Sequence, residues 1–159
     1  MPEPKELLSR MEDYLNFLAG LRPLPWEVLL SPMAKGKWSI REVVAHITAW
    51  DLNFLETAVR AIEGGGRPVL TEEVDYQAFN ERAAAIGRTQ TKEQLLSEAA
   101  GAREKLLDHL RRLPAEAFQV RGSGEAGTDL AEFLERNFVS HDRHHMEQVR
   151  RYLAERPSA

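Results

Sequence analysis

The chain has 159 residues, 43% of them hydrophobic and 29% charged, which is enough to bury the core of one globular domain. We therefore expect a single domain over residues 1–159. The net charge is −4, and acidic and basic residues are interleaved, as in Arg103–Glu104–Lys105, which indicates solvated helix faces and no nucleic-acid partner. The absence of cysteine excludes disulfides, thiolate metal sites and a cysteine nucleophile.

The first residues, Met1–Glu6, do not combine a basic segment with a following apolar run, so we expect no signal peptide. No apolar stretch approaches the roughly 20 residues that a membrane-spanning helix requires. Together with the lack of cysteine, these features predict a soluble, cytoplasmic protein without a membrane partner.

The first two helices are indicated by apolar periodicity and by a capping pattern. The first is predicted from about Pro4 to Gly20, because its apolar residues recur at intervals of three and four and share one face. The stretch Leu21–Lys37 contains three prolines and is predicted to be a long connection. Ser39 and Glu42 form a capping-box pattern that begins the second helix, which extends to Ile62 before a run of three glycines.

The middle of the chain contains a short and a long predicted helix. The shorter helix covers about Asp75–Ile86. Thr91 and Gln94 form a second capping-box pattern, which begins a long helix that Pro114 ends.

The last long helix is predicted to begin after a glycine-rich segment. Residues Arg121–Gly127 have the composition of the most flexible part of the chain, Thr128 is predicted to cap the helix, and the helix extends to about Glu155. No alternating strand pattern is found. Four long helices and one additional short helix predict an all-α fold, a four-helix bundle.

The candidate chemistry lies in the last helix, at His141 and His145. Four residues at roughly 100° each place the two side chains about 40° apart, one turn apart along the helix. The apolar stripe of this helix is centred between them, so both face the bundle interior. A buried polar group without a partner costs a few kcal/mol, and a metal ion would be such a partner. The alternative is a pair of core histidines that are hydrogen-bonded to neighbours or to a buried water.

The other histidines are weaker candidates. His46 lies at the margin of the apolar stripe of the second helix, close to Trp50, and periodicity alone ranks it only as a third candidate ligand. His144 lies at the edge of the last helix's stripe, and His109 lies among charged residues, so neither is assigned to the site.

Two blocks of the sequence resemble the DinB-like, or YfiT-like, family of metal-dependent enzymes. Trp38–Ile47 is similar to the family pattern W-S-x-x-E-x-x-x-H-(I/L). His141–Val149 is similar to the family segment H-x-x-H-H-x-G-Q-(I/L), with Glu147 in place of the usual glycine. Asp75–Asn80 resembles the D-x-x-N segment that often lies between these blocks. Their order and separation agree, so the resemblance spans essentially the whole chain.

The resemblance implies one open metal site with His46, His141 and His145 as ligands, and a homodimer as the usual assembly. Three imidazoles with open positions are typical of a catalytic site and suit divalent transition metals, of which we expect zinc or nickel. The better-understood members are thiol-dependent transferases or isomerases, so a low-molecular-weight thiol is expected as a cosubstrate.

We therefore expect a metal-dependent enzyme that acts on a small-molecule substrate, either a small-thiol S-transferase or a hydrolase. One alternative is a non-catalytic bundle that binds a metal or a small molecule. Another is a purely structural bundle whose core histidines are hydrogen-bonded. The fold itself does not select a substrate.

Overall fold

The computed structural model describes residues 3–68, 76–122 and 128–156, and these residues contain no β-strand. The helices in chain order are α1 (Pro4–Leu21), α2 (Trp26–Leu30), α3 (Ile40–Phe54, continued by Leu55–Val59 and Arg60–Glu63), α4 (Tyr76–Arg88), α5 (Lys92–Arg111) and α6 (Leu130–Leu134, continued by Glu135–Val139 and Ser140–Glu155). The predicted all-α fold with four long helices is confirmed. None of the helices within these described ranges is both long and apolar enough to span a membrane.

Both predicted capping boxes are present. The Ser39 hydroxyl accepts the Glu42 backbone N–H at 3.2 Å, and the Glu42 side chain accepts the Ser39 backbone N–H at 3.1 Å. Thr91 and Gln94 exchange the equivalent pair of hydrogen bonds at the start of α5. Each pair satisfies two backbone donors that a helix start would leave unpaired, so it stabilises the helix where the apolar periodicity begins.

The predicted connection Leu21–Lys37 contains one short helix, α2, whose Val28 and Leu29 are buried. Pro25 directly precedes this helix with a φ of −58°, which suits the start of a helical turn. At the other end of α3, Gly65 has a φ of +84°, a left-handed conformation that glycine adopts without strain. The α3 helix therefore ends at the predicted run of glycines.

The predicted cap of the last helix is wrong by one residue. Asp129, not Thr128, is the N-cap of α6, and its carboxylate accepts the Glu132 backbone N–H at 2.8 Å. The Thr128 carbonyl instead accepts the Gly122 backbone N–H at 3.2 Å, in an extended contact that precedes the helix. Of the segment that was predicted to be flexible, residues 123–127 lie outside the described residues, as does Asp75.

The long helices form a bundle in which α1 and α3 each pack against both α5 and α6. Buried apolar side chains form two clusters, one containing Met11 and Phe54 and the other containing Tyr14 and Ile47. A layer of buried or half-buried polar side chains separates the two clusters along α3, α5 and α6: His46, Asp51, Arg103, His141, Asp142 and His145. The fold therefore places the candidate site in the middle of the bundle.

Candidate metal centre

Three histidines meet where α3 faces α6, and we refer to His46, His141 and His145 as the histidine cluster. The Nε2 atom of His141 lies 3.1 Å from Nε2 of His46 and 3.1 Å from Nε2 of His145. One ring nitrogen from each histidine lies within 4.8 Å of the other two. His46 is only 5% exposed, so the margin position that periodicity indicated for it is in fact buried against α6.

The hydrogen bonds of His46 determine which of its ring nitrogens carries the proton. The Trp50 indole N–H donates to Asn80 Oδ1 at 2.8 Å, and His46 Nδ1 lies 2.9 Å from the same oxygen. An indole N–H can only donate, so the Asn80 atom at this point must be the carbonyl oxygen. His46 Nδ1 must then be the donor, which leaves Nε2 of neutral His46 with a free lone pair.

His145 is oriented in a similar way. Its Nδ1 lies 3.2 Å from the Gln148 side-chain oxygen, which accepts the Nδ1–H and leaves the Nε2 lone pair of neutral His145 facing His141. Two lone pairs therefore point at His141 Nε2, which carries at most one hydrogen. Hydrogen bonding among the three rings cannot satisfy all three converging nitrogens, whereas one cation between them would do so.

Burial keeps the three imidazoles neutral. It lowers the pKa of His46 to about 4 and the pKa of His141 to about 3, and each value is lowered further by the neighbouring His145. Burial also lowers the pKa of His145, although its hydrogen bond to Gln148 opposes this shift. Since only the neutral imidazole can bind a metal, the three side chains are in the ligating form at neutral pH.

The distances in the histidine cluster also fit a transition metal. Two nitrogens that bind one ion at about 2.0–2.1 Å in a tetrahedral arrangement lie roughly 3.3 Å apart. The two measured Nε2–Nε2 distances of 3.1 Å are close to this value. Three neutral imidazoles form a donor set that suits zinc, nickel, copper or iron.

A second buried polar group, Arg103 with Asp51 and Asp142, lies beside the histidines, and we refer to it as the arginine cluster. All five N–H groups of Arg103 are used, because two donate to each carboxylate and one donates to the Met11 carbonyl, at 2.7–3.1 Å. The guanidinium carbon lies 4.6 Å from the centre of the Tyr14 ring, in a cation–π contact.

The arginine cluster corrects one prediction from the sequence. Arg103 was assigned to a solvated helix face, but the residue is 0% exposed. Arg103 lies four residues after Ala99 and three before Leu106, so it occupies the apolar stripe of α5. This spacing is the signal in the sequence that predicts a buried position for Arg103.

A cavity of about 260 Å³ lies against the histidine cluster, between α3 and α6. His46 and His141 line it, whereas His145 does not. Asn80, the last residue of the segment Asp75–Asn80 that resembles the family pattern, also lines the cavity. The two histidines that were set aside lie elsewhere: His144 is exposed, and His109 is hydrogen-bonded to Glu63 at 2.7 Å.

Comparison with known proteins agrees with the resemblance seen in the sequence. The family model of the DinB superfamily matches residues 8–149. The structure is similar to that of YfiT from Bacillus subtilis, a probable metal-dependent hydrolase with an unusual four-helix bundle topology, with a TM-score of 0.69 and 18% sequence identity over 94% of this chain and 85% of that one. No curated protein matches the chain.

A second similar structure corrects the prediction about nucleic acid. The colibactin self-resistance protein ClbS, solved in complex with a dsDNA, has a TM-score of 0.75 and 14% identity over 99% of both chains. The expectation of no nucleic-acid partner, which rested on overall charge, is therefore wrong. A net charge of −4 describes the whole chain and does not exclude DNA binding at one part of a surface.

Proposed function

Because the chain belongs to the DinB superfamily, we propose that it is a metal-dependent enzyme in which His46, His141 and His145 bind one divalent transition metal ion. The observation that supports this proposal most directly is the convergence of three neutral imidazole nitrogens within 4.8 Å of one another. Zn²⁺ and Ni²⁺ are the ions that we expect, since both accept imidazole ligands. An ion in this position would supply Lewis acidity for the reaction.

The chain's own residues define where the substrate would bind. The cavity borders His46 and His141, so a substrate in it would reach the ion from this side. A metal-dependent hydrolase would use water as the nucleophile, and an S-transferase would use a low-molecular-weight thiol, because the chain has no cysteine to supply a thiol. We place hydrolysis first, because a protein with this fold, YfiT, is described as a probable metal-dependent hydrolase. Assembly as a homodimer remains a prediction.

The residues around the site would hold the histidines in place. Asn80 accepts the Nδ1–H of His46 and thereby turns its Nε2 toward the other two rings. Asp142, next to His141 on α6, is held by Arg103, which also holds Asp51 on α3. The arginine cluster thus ties together the two helices that carry the ligands.

Turnover by metal-loaded protein tests this function. Protein loaded with Zn²⁺ or Ni²⁺ is assayed with a chromogenic ester, a chromogenic amide, and an aryl halide with and without a panel of small thiols. We expect turnover that requires the ion, that is lost in His145→Ala and that is retained in His144→Ala, the matched control on the same helix. Equal turnover by metal-free protein would exclude a metal-dependent reaction, and bound metal without turnover of any substrate would favour the non-catalytic alternative.

A further inference from the structure

The cavity beside the histidine cluster runs along the interface between α3 and α6. Its lining on α3 extends from His46 to Thr57, eleven helical steps or roughly 16 Å of helix. On α6 its lining extends from Asp142 back to Phe133. With a volume of about 260 Å³, the cavity has room for a small, elongated molecule that has one end at the histidines.

Two irregular turns of the helices contribute exposed residues to the wall of the cavity. Leu55–Val59 in α3 and Glu135–Val139 in α6 are each one turn of π-helix. The middle residues of these turns, Thr57 and Asn137, are exposed, and both line the cavity. Single π-helical turns occur frequently at functional sites, and here one exposed residue of each turn lines the cavity.

The charged groups in the cavity wall are already paired with one another. Of the fifteen described residues that line it, those with a charged side chain are Arg103, Asp51 and Asp142. Arg103 uses all five N–H groups within the protein. The described lining therefore offers no free guanidinium or ammonium group to a phosphate or carboxylate on the substrate.

Aromatic rings form much of the remaining wall. Five of the fifteen lining residues are Trp, Tyr or Phe, although these residue types make up 8% of the chain: Trp50, Phe54, Tyr76, Phe133 and Phe138. Phe54 lies 5.3 Å from Phe133 with nearly parallel rings and 4.7 Å from Phe138. Trp50 is held by its hydrogen bond to Asn80 and by the Phe79 ring at 4.2 Å. These rings favour a flat apolar group packed against them.

We propose that the cavity binds an uncharged aromatic group of the substrate, with the reacting atom at the end formed by His46 and His141. This inference rests on the proposed function, since it assigns the substrate class of that same site. Asn53, Thr57 and Asn137 supply uncharged polar groups in the cavity wall, where they hydrogen-bond a polar substituent. Aryl esters, aryl amides and aryl-bearing electrophiles belong to this class.

Two hydroxamates that share one metal-binding group test the inference by isothermal titration calorimetry on Zn²⁺-loaded protein. The affinity of acetohydroxamate measures binding of the hydroxamate group to the open position on the ion. Benzohydroxamate has the same metal-binding group and adds one aromatic ring. We expect benzohydroxamate to bind at least about tenfold more tightly, because its ring is buried against aromatic walls. Succinate monohydroxamate and β-alanine hydroxamate, which carry a charged tail of either sign, are expected to bind no more tightly than acetohydroxamate.

A matched pair of variants locates the ring. Phe138→Leu changes a buried residue that lines the cavity, and Phe118→Leu makes the same change at a buried residue that does not line it. The preference for benzohydroxamate should fall several-fold in the first variant only. If Phe138→Leu does not fold, the comparison of ligands in the wild-type protein still decides the question.

The failures of the two proposals can be told apart. Absence of acetohydroxamate binding would contradict the open metal position of the proposed function. Binding of acetohydroxamate with no gain for benzohydroxamate, or a tighter complex with either charged tail, would overturn the aromatic substrate class and leave the metal site in place.

Discussion

The histidine cluster and the arginine cluster lie side by side in the same polar layer, but they differ in how far the protein itself satisfies them. In the arginine cluster, five N–H donors meet five acceptors from three helices. In the histidine cluster, three imidazole nitrogens face one another with at most one hydrogen to share. A polar cluster whose donors and acceptors are all paired within the protein stabilises the fold. A cluster that is left with converging nitrogen lone pairs is suited to bind a cation.

The largest expected effect comes from breaking the complete cluster. Arg103→Met leaves two buried carboxylates without a counter-charge, and we expect it to cost about 3–5 kcal/mol of the free energy of unfolding. His141→Met strands no charge and should cost clearly less in metal-free protein. Urea denaturation of the metal-free wild-type protein and of both metal-free variants measures the two losses in the free energy of unfolding.

A combined variant controls for the change of shape at Arg103. Adding Asp51→Asn and Asp142→Asn to Arg103→Met removes the stranded charges and should recover part of the lost stability. Equal losses for Arg103→Met and His141→Met would show that the two clusters do not differ in the proposed way.

A smaller effect is expected from releasing His46 from its partner. Asn80→Leu removes the acceptor of the His46 Nδ1–H, so the ring is no longer held with Nε2 toward the other ligands. We expect Zn²⁺ affinity to fall by about 10–100-fold, as for other outer-shell partners of metal ligands. Asn80→Asp keeps an acceptor at this position and should bind at least as tightly as the wild-type protein. Unchanged affinity in Asn80→Leu, measured by competition with a chelator, would mean that this hydrogen bond does not orient His46.

The smallest effect, when counted per pH unit, is a difference in pH dependence. The pKa of His141 is about 3 in the folded protein, below the ordinary value of 6.5, because of burial. Below pH 6.5 the unfolded chain therefore binds a proton that the folded protein does not, so stability that is present above pH 6.5 is lost as the pH falls toward about 3. The free energy of unfolding of metal-free wild-type protein should fall up to about 1.4 kcal/mol per pH unit more steeply than that of His141→Ala. If the free energies of unfolding of the wild-type protein and of His141→Ala change in parallel with pH, His141 has the same pKa in the folded and the unfolded protein.

The helices were predictable from the sequence because their determinants are local. Apolar spacing and the pairs Ser39–Glu42 and Thr91–Gln94 act within a few residues, and the structure has the corresponding helices. The choice between Thr128 and Asp129 as a cap was not local, because the Thr128 carbonyl accepts the backbone N–H of Gly122, six residues earlier in the chain. Adjacent residues with the same capping chemistry cannot be separated by pattern alone.

The candidate site was predictable only in part, because some of its contacts join residues that are far apart in the sequence. His141 and His145 share one helix, so their proximity follows from helix geometry. The burial of His46 depends on how α3 is rotated against α6, and its hydrogen bond to Asn80 joins residues 34 positions apart. Arg103 was misplaced because arginine is rarely fully buried, although it stood in an apolar stripe.

The metal content of purified protein tests the role of the histidine cluster most directly. Wild-type protein, His141→Ala and His144→Ala are each dialysed against Zn²⁺ and then analysed by elemental mass spectrometry. We expect about one ion per chain in the wild-type protein and in His144→Ala, and well below one in His141→Ala, because each of three ligands is required for tight binding. One ion per chain in His141→Ala, or none in the wild-type protein, would contradict a metal site formed by His46, His141 and His145.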